Sequence, residues 1–391
     1  MRVLHVIPSV SPQEGGPSFV VRQLVDGLSA AGVEAHVVST IADGEAPDSA
    51  AEAGSGGMYW YAPRQSAFYS FSWPLHRWLA NHVRDYDLVH IHSLFSFPSI
   101  SAAYWSRRRR VPYIVRPLGT LNRWGFENRR PWLKTVSFRC LESRILRHAA
   151  AVHYTTHEEQ VEAERLSFRH RPVVIPNPWE LPTSVQSGNS FLSRFPALIG
   201  RTAILFLSRI HRKKGLDLLL LAFADLRKGH PEVVLVIAGN GEPDLIAELQ
   251  FQAEKLHIAD AVFWVGFLDR VEKLEALKYS AVFVLPSYSE NFGVAVIEAM
   301  AAGVPVAVSD QVAVHTEVLR AGAGLVCTCS ATSLAATLCR ILADPDAARR
   351  MGASGSAFAK EQYSLPAITT RLLSVYESIL GCQEQADVFA L

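Results

Sequence analysis

The sequence predicts two α/β domains, each a parallel sheet covered on both faces by helices, and three observations carry that expectation. With 391 residues and 49% apolar side chains, the chain is too long for one ordinary core and too apolar for disorder. Short apolar runs, "RVLHVI", "EAHVVST", "DLVHIHS", "PYIVRP" and "AVHYTT", alternate with helical stretches, as strands buried on both faces do. The rhythm breaks at the polar stretch "IPNPWELPTSVQSGNS" and resumes with "TAILFLS", "VVLVIAG", "AVFWVG", "AVFVLPS" and "PVAVS". The expected boundaries are a first domain over 1–180, a linker over 181–200 and a second domain over 201–366.

Composition narrows the function. The formal net charge is +1, so no global field draws the chain to nucleic acid, and anion affinity must come from local clusters. "MRVLHVIPSV" has too short an apolar run before Pro8 for a secretory signal. The most apolar windows, "LDLLLLAFADL" and "VAVIEAMAAGVPVAV", fall short of the roughly 20 residues that span a bilayer. A cytoplasmic protein without a transmembrane helix is expected. Cys140, Cys327, Cys329, Cys339 and Cys382 read as reduced thiols, because they are scattered and "CTC" lacks the further ligands a zinc site needs. The "DYD" at Asp85–Asp87 is not taken as a metal motif, since it precedes a strand whereas ligands of such sheets lie beyond strand carboxyl ends.

The loops after the strands are therefore where chemistry is expected, with a cleft between the domains as the default site. After the first strand, Gly15 and Gly16 precede Pro17 at the start of a helix, where bare backbone and unpaired N–H groups suit a phosphate. In "FLSRIHRKKGLDLLLLAF", Ser208, Arg209 and Lys214 lie between a strand and an amphipathic helix, and an Arg fork with a Lys point charge neutralises a diphosphate without metal. Arg212 and Lys213 fit a solvated turn better. Gly239, in "VIAGNGEPD", and Gly266 and Phe267, in "VGFLDR", end further strands and are weaker candidates for donor contact.

The stretch "SYSENFGVAVIEAMAAGVPV" places Glu290 in a loop and Glu298 in the helix that follows. Asn291, Phe292, Gly293 and Val294 sit between them at the helix mouth, where the first N–H groups can hold a phosphate. Glu298 on an otherwise apolar helix needs hydrogen-bond donors, and ribose hydroxyls supply two. Glu290 is then placed to hold sugar hydroxyls and to favour positive charge at an anomeric carbon. His90 and His92 share one strand face, with His90 read as a core histidine and His92 as a residue lining the cleft.

Taken in order, "EGGPSFVVRQLVDGL", "DLVHIHS", "VIPNP", "LSRIHRKKGLDLLLLAF", "VGFL" and "SENFGVAVIEAMAAGVPV" resemble the retaining GT-B glycosyltransferases of family GT4, the glycosyl transferases group 1, over nearly the whole chain. The resemblance implies two Rossmann-like domains facing each other across a cleft, with a final helix over about 367–391 crossing back to the first. It implies a nucleotide-sugar donor, UDP-glucose first, and transfer with retention and no cofactor or catalytic metal. Gly15 and Gly16 would face the diphosphate, Arg209 and Lys214 neutralise it, Phe292 to Val294 cap it, Glu298 bind ribose and Glu290 the transferred sugar. Glu290, Arg209 and Lys214 are the expected catalytic set. One position departs: where many relatives carry a cleft histidine before the Gly of "VRPLGTL", this chain has Leu118. Arg116 and His92 are the nearest substitutes.

For the acceptor, "YWSRRRRVPY" and "RWGFENRRPWLKTVSFRCLESRILRHAA" combine basic residues with Trp124, Phe126, Trp132 and Phe138, which suits an anionic membrane surface. The resemblance implies a saccharide acceptor, lipid-linked, in surface polysaccharide assembly. The alternatives are an epimerase-like GT-B activity and a nucleotide-sugar-binding protein without transfer.

Overall fold

The computed structural model describes residues 1–11, 16–42, 57–122, 131–179 and 190–388. They form two compact units, Met1–Pro178 with Leu365–Leu391, and Trp179–Ser364.

The first unit holds seven strands, β1 (Arg2–Ile7), β2 (Glu34–Ile41), β3 (Met58–Pro63), β4 (Leu88–His92), β5 (Tyr113–Arg116), β6 (Ala151–Tyr154) and β7 (Pro172–Val174). All pair in parallel, in the order β3-β2-β1-β4-β5-β6-β7. Every residue of β4, β5 and β6 is buried, His90, His92, Arg116 and His153 included, so these strands show no alternation of buried apolar and exposed polar residues. The edge strands β3 and β7 have no such signature: β3 is partly exposed and β7 is three residues long, so the sequence pattern passed over both.

The second unit repeats the design with six parallel strands, β8 (Thr202–Leu207), β9 (Val233–Ala238), β10 (Val262–Gly266), β11 (Val282–Leu285), β12 (Val306–Ser309) and β13 (Gly324–Cys327). Their order is β10-β9-β8-β11-β12-β13. Each sheet thus reverses its winding once, between β1 and β4 in one unit and between β8 and β11 in the other, and doubly wound sheets bind ligands beyond the strand ends at that reversal.

The expected linker boundary shifts. Part of the expected linker belongs to the second unit: a helix at Ser190–Arg194 and a 3₁₀ turn at Pro196–Leu198 bury Phe191 and Leu198 in its core. Apolar side chains with a core to join are not linker, however polar their neighbours. Residues 180–189 lie outside the described residues. The last helix, Leu365–Val388, places Ile368, Leu372, Tyr376 and Ile379 in one core with Val21, Leu24, Val25 and Leu28 of the helix Gly16–Ala30, so it is part of the first unit's hydrophobic core. No described helix is long and apolar enough to cross a membrane.

Candidate functional site

In the second unit the loops leaving β8 and β11 carry the charged residues singled out by sequence. After β8 come half-buried Ser208 and exposed Arg209, then a 3₁₀ turn, Arg212–Lys214, capped by the His211 ring, which accepts from Lys213 N–H at 3.2 Å. Gly215, with φ 69°, turns the chain into the helix Leu216–Arg227. A Cβ there would lie 2.1 Å from the Pro286 carbonyl oxygen, so only glycine lets this loop press against the one that follows β11. The result is an ion pair between the Lys214 ammonium and Glu290, whose side chains are 9% and 14% exposed.

Glu290 is held by backbone on both sides. Its N–H donates to Gln311 O at 3.0 Å and its carbonyl accepts from Ala313 N–H at 2.9 Å, clamping the loop to the one after β12. Tyr288 ties the same loop to the lysine turn, its N–H donating to Lys213 O at 2.8 Å and its hydroxyl to Asp217 Oδ2 at 2.7 Å. Burial, then the Asp217 carboxylate, pushes the Tyr288 phenol up to about 12, which keeps it a donor. Burial lowers Lys213 from its ordinary range.

Gly293, at φ 87°, caps the helix Val294–Ala301; a Cβ there would press on Val312 and Val296 at 3.2 and 3.3 Å. The first turn of a helix has N–H groups without intrahelical acceptors, and here that turn directly follows the loop of Glu290, with Val296 N–H already donating to Gly293 O at 2.9 Å. Phe292 is buried against Tyr363, so its ring serves the core and only its backbone is left for a ligand. One turn and more along the helix, Glu298 pairs with Lys273 from the helix Arg270–Tyr279. The two acids are therefore separate: each has its own lysine. Sequence reading missed Lys273, because nothing in its neighbourhood marks a helix-surface lysine as an acid's partner.

The remaining candidates scatter around this centre. Gly239, after β9, donates its N–H to Gly266 O at 2.8 Å, and Phe267 beside it is 66% exposed, so these three share the β9–β10 side of the sheet's carboxyl edge. Asn291 is half-buried beside Glu290. Arg212 is engaged elsewhere, in an exposed pair with Glu248 at 2.6 Å. Gly15 lies outside the described residues, and Gly16 is the first residue of its helix in the first unit.

The first unit holds a feature the sequence reading underestimated. His5, His90, His92 and His153 are all buried, with His90 and His92 stacked at 4.3 Å between ring centroids. His92 is therefore not a surface residue: its strand is central, and burial on both faces leaves it no exposed side. Arg116 is likewise 1% exposed. Desolvation holds all four imidazoles well below their ordinary range, His5 and His153 at about 3, with the Arg116 charge among the further causes. Leu118 takes a left-handed φ of 57°, and Gly119 next to it donates to Glu159 Oε1 at 2.5 Å. A π-helical turn at Phe138–Glu142 buries Glu142, whose carboxyl desolvation raises to about 7. Phe138, expected on a surface, is a core residue stacked edge-on against Phe168. Trp124 and Phe126 lie outside the described residues.

Comparison with known proteins agrees with this architecture. Residues 15–178 match the "Glycosyl transferase 4-like domain" and residues 194–358 the "Glycosyl transferases group 1" family. A phosphatidyl-myo-inositol mannosyltransferase of Mycobacterium leprae is 28% identical over 405 residues, covering 99% of this chain and 100% of that protein. A glycogen synthase of Mycobacterium tuberculosis is 31% identical over 188 residues, 48% of this chain and 44% of that one, so the chain spans less than half the length of that relative. Among solved structures, the sucrose-phosphate synthase of Thermosynechococcus elongatus superposes with a TM-score of 0.79 at 22% identity, covering 97% of this chain and 99% of that one. HepE of Anabaena, solved with UDP and glucose, superposes at 0.78 and 18% identity, covering 97% and 100%. Two parallel α/β sheets in this order, with the acid pair in its loop and helix, place the chain in the GT4 family of GT-B glycosyltransferases.

Proposed function

We propose that this protein transfers a hexose, glucose first, from a nucleotide-diphosphate sugar to a saccharide acceptor, with retention and without a metal. The observation that carries the reading is the Lys214–Glu290 pair lying across the β8–β11 reversal, in the loop that leads into the helix Val294–Ala301. A diphosphate entering there takes the Lys214 ammonium and the helix N–H groups as donors, and Arg209 adds a second cation from the same loop. Glu290, released from its lysine, then faces the sugar, where a carboxylate favours positive charge at the anomeric carbon. The C1–O bond to the diphosphate breaks as the acceptor oxygen bonds C1 on the same face, and the departing phosphate oxygen takes the acceptor proton. Glu298, half-buried on an apolar helix and anchored by Lys273, offers its carboxylate to the ribose hydroxyls.

UDP-glucose is supported as donor by HepE, solved with UDP-glucose, though that likeness of 18% identity speaks to fold. A mannose-bearing donor is the second reading, supported by the full-length match to a mannosyltransferase. For the acceptor side we propose a lipid-linked saccharide at an anionic membrane surface and a role in surface polysaccharide assembly. In support, Trp132, Val136 and Leu141 are exposed on the segment that also carries Lys134 and Arg139, and the helix Phe97–Arg109 ends in three arginines.

The test is thermal unfolding and donor hydrolysis with UDP-, GDP- and ADP-sugars, each with and without EDTA. One donor should raise the unfolding temperature and be slowly hydrolysed, with no effect of EDTA. Shifts without any turnover would favour a binding protein, and no shift with any nucleotide would remove the pocket assignment.

A further inference from the structure

The side chain of Arg116, last residue of β5, is the largest fully buried one described. One of its amino groups, Nη2, donates to Asn177 Oδ1. Nε and Nη1, equally buried, have no hydrogen-bond partner among the described residues. The carboxylate that acts on this charge, Glu159, is bonded to other groups: Oε1 accepts from Gly119 N–H at 2.5 Å, and Oε2 from the Thr155 N–H and hydroxyl, both at 2.7 Å. A buried guanidinium that the neighbouring carboxylate touches only through its field leaves most of its N–H groups short of acceptors.

The histidines around it define which partner is missing. His153 Nε2 lies 2.7 Å from Ile175 O, a group that only accepts, so His153 carries its proton there and Nδ1 is an acceptor. His90 Nε2, 3.3 Å away, therefore donates to it, and His90 Nδ1 accepts from the Tyr376 hydroxyl at 2.7 Å. Both nitrogens of His90 are spent. His5 Nδ1 and His92 Nε2 share one proton at 2.9 Å, which leaves His5 Nε2 and His92 Nδ1 buried and unpartnered, one as N–H and the other as a lone pair. His5, His90 and His92 do bring ring nitrogens within 4.8 Å of one another, but His90 has none to give and a cation would share its surroundings with the guanidinium. The unsatisfied set, the Nε–H and the Nη1 amino group of Arg116 with one imidazole N–H, against a single imidazole lone pair, is dominated by donors.

We propose that Arg116 binds an oxyanion, a carboxylate or a phosphate, carried by the acceptor substrate. The residue sits at the carboxyl edge of the sheet, in register with His92 of β4, one strand from the reversal between β1 and β4. Ser93 and Leu118, which follow the two paired strand ends, hold left-handed backbone at φ 84° and 57°, and these turns must move to admit the anion. Naming the acceptor rests on the transfer reading; the anion site itself does not.

The experiment uses the full chain and three probes: inorganic phosphate, D-glucuronate and, as a neutral control, D-glucose. Thermal unfolding is followed in the wild type, in Arg116→Gln, and in Arg209→Ala/Lys214→Ala, which disables the proposed diphosphate site. The Arg116 Nε–H resonance of the labelled wild type is followed by NMR in parallel. An anion should raise the unfolding temperature by about 2 °C or more in the wild type and the double variant, shift the Nε–H signal, and do neither in Arg116→Gln. Phosphate alone acting would identify a phosphate-bearing acceptor, and glucuronate alone an acidic sugar. The proposal fails if neither anion moves the Nε–H signal, if the rise survives in Arg116→Gln, or if it vanishes in Arg209→Ala/Lys214→Ala. Should Arg116→Gln not fold, the wild-type resonance decides. Absence of any UDP response in the wild type, with this anion response intact, would sink the donor reading and leave the Arg116 site standing.

Discussion

At the scale of single residues, charge burial decides most of what this protein can do. Glu290 and Lys214 are nearly buried together, so each is the other's desolvation partner until a ligand replaces one of them. Glu290→Gln should therefore lower turnover by about 10²-fold while the dissociation constant for UDP changes less than about fivefold, since the carboxylate acts on charge that develops in the transition state. Equal losses in both would remove its transition-state role. The same variant leaves Lys214 short of an acceptor, and about 1–3 kcal/mol of stability should go with it. Glu142 makes a second prediction with a definite sign. Its carboxyl titrates from about 4.5 when unfolded to about 7 when folded, because burial disfavours the charge. Between those values the folded state holds the proton and the unfolded state does not, so stability falls as pH rises and levels off above about 7. Glu142→Gln should abolish that fall, gaining roughly 3 kcal/mol on the wild type between pH 4.5 and 8 in urea unfolding. A constant difference across that range would show the carboxyl is not held neutral. Of these residues Glu290, Arg209 and Lys214 were legible as types in loops after strands and Glu298 as an acid on an apolar helix; the Lys273 partner and the buried state of Arg116 were not, since burial belongs to neighbours distant in the chain.

At the scale of elements, the loops are positioned by what their glycines permit. Gly215 and the Pro286 carbonyl approach so closely that any side chain must part the loops carrying Lys214 and Glu290. Gly215→Ala should lower the unfolding temperature of the second unit and cut kcat/KM by at least about tenfold, with left-handed strain adding about 1–2 kcal/mol to the steric cost. Unchanged kinetics would mean that the pairing of those loops is incidental to activity. The central strands were readable because a strand covered on both faces is apolar throughout; β3, β7 and β13 were not, being short or at an edge where that pressure relaxes.

At the scale of the whole molecule, the chain leaves its first unit at Pro178 and returns to it at Leu365, so the second unit is one continuous segment and the first is not. Residues 179–364 expressed alone should unfold cooperatively, as judged by circular dichroism and calorimetry. Removing everything after Ser364 should leave that transition in place and destabilise the first unit, because Ile368, Leu372, Tyr376 and Ile379 are lost from its core and His90 loses the Tyr376 hydroxyl. Two transitions unchanged by the truncation would contradict that assignment of the last helix.

What the sequence by itself determined is the architecture and which residue types stand at the strand ends, because hydrophobic periodicity and residue type are local properties of the chain. It also carried the family, through motifs whose order is one-dimensional. What only the tertiary structure decided is which charges are paired and which are stranded: Glu290 with Lys214, Glu298 with Lys273, and Arg116 with too few acceptors. The physical reason is that the free energy of a charge depends on its desolvation and on partners dozens of residues away, and both exist only once the sheets have formed.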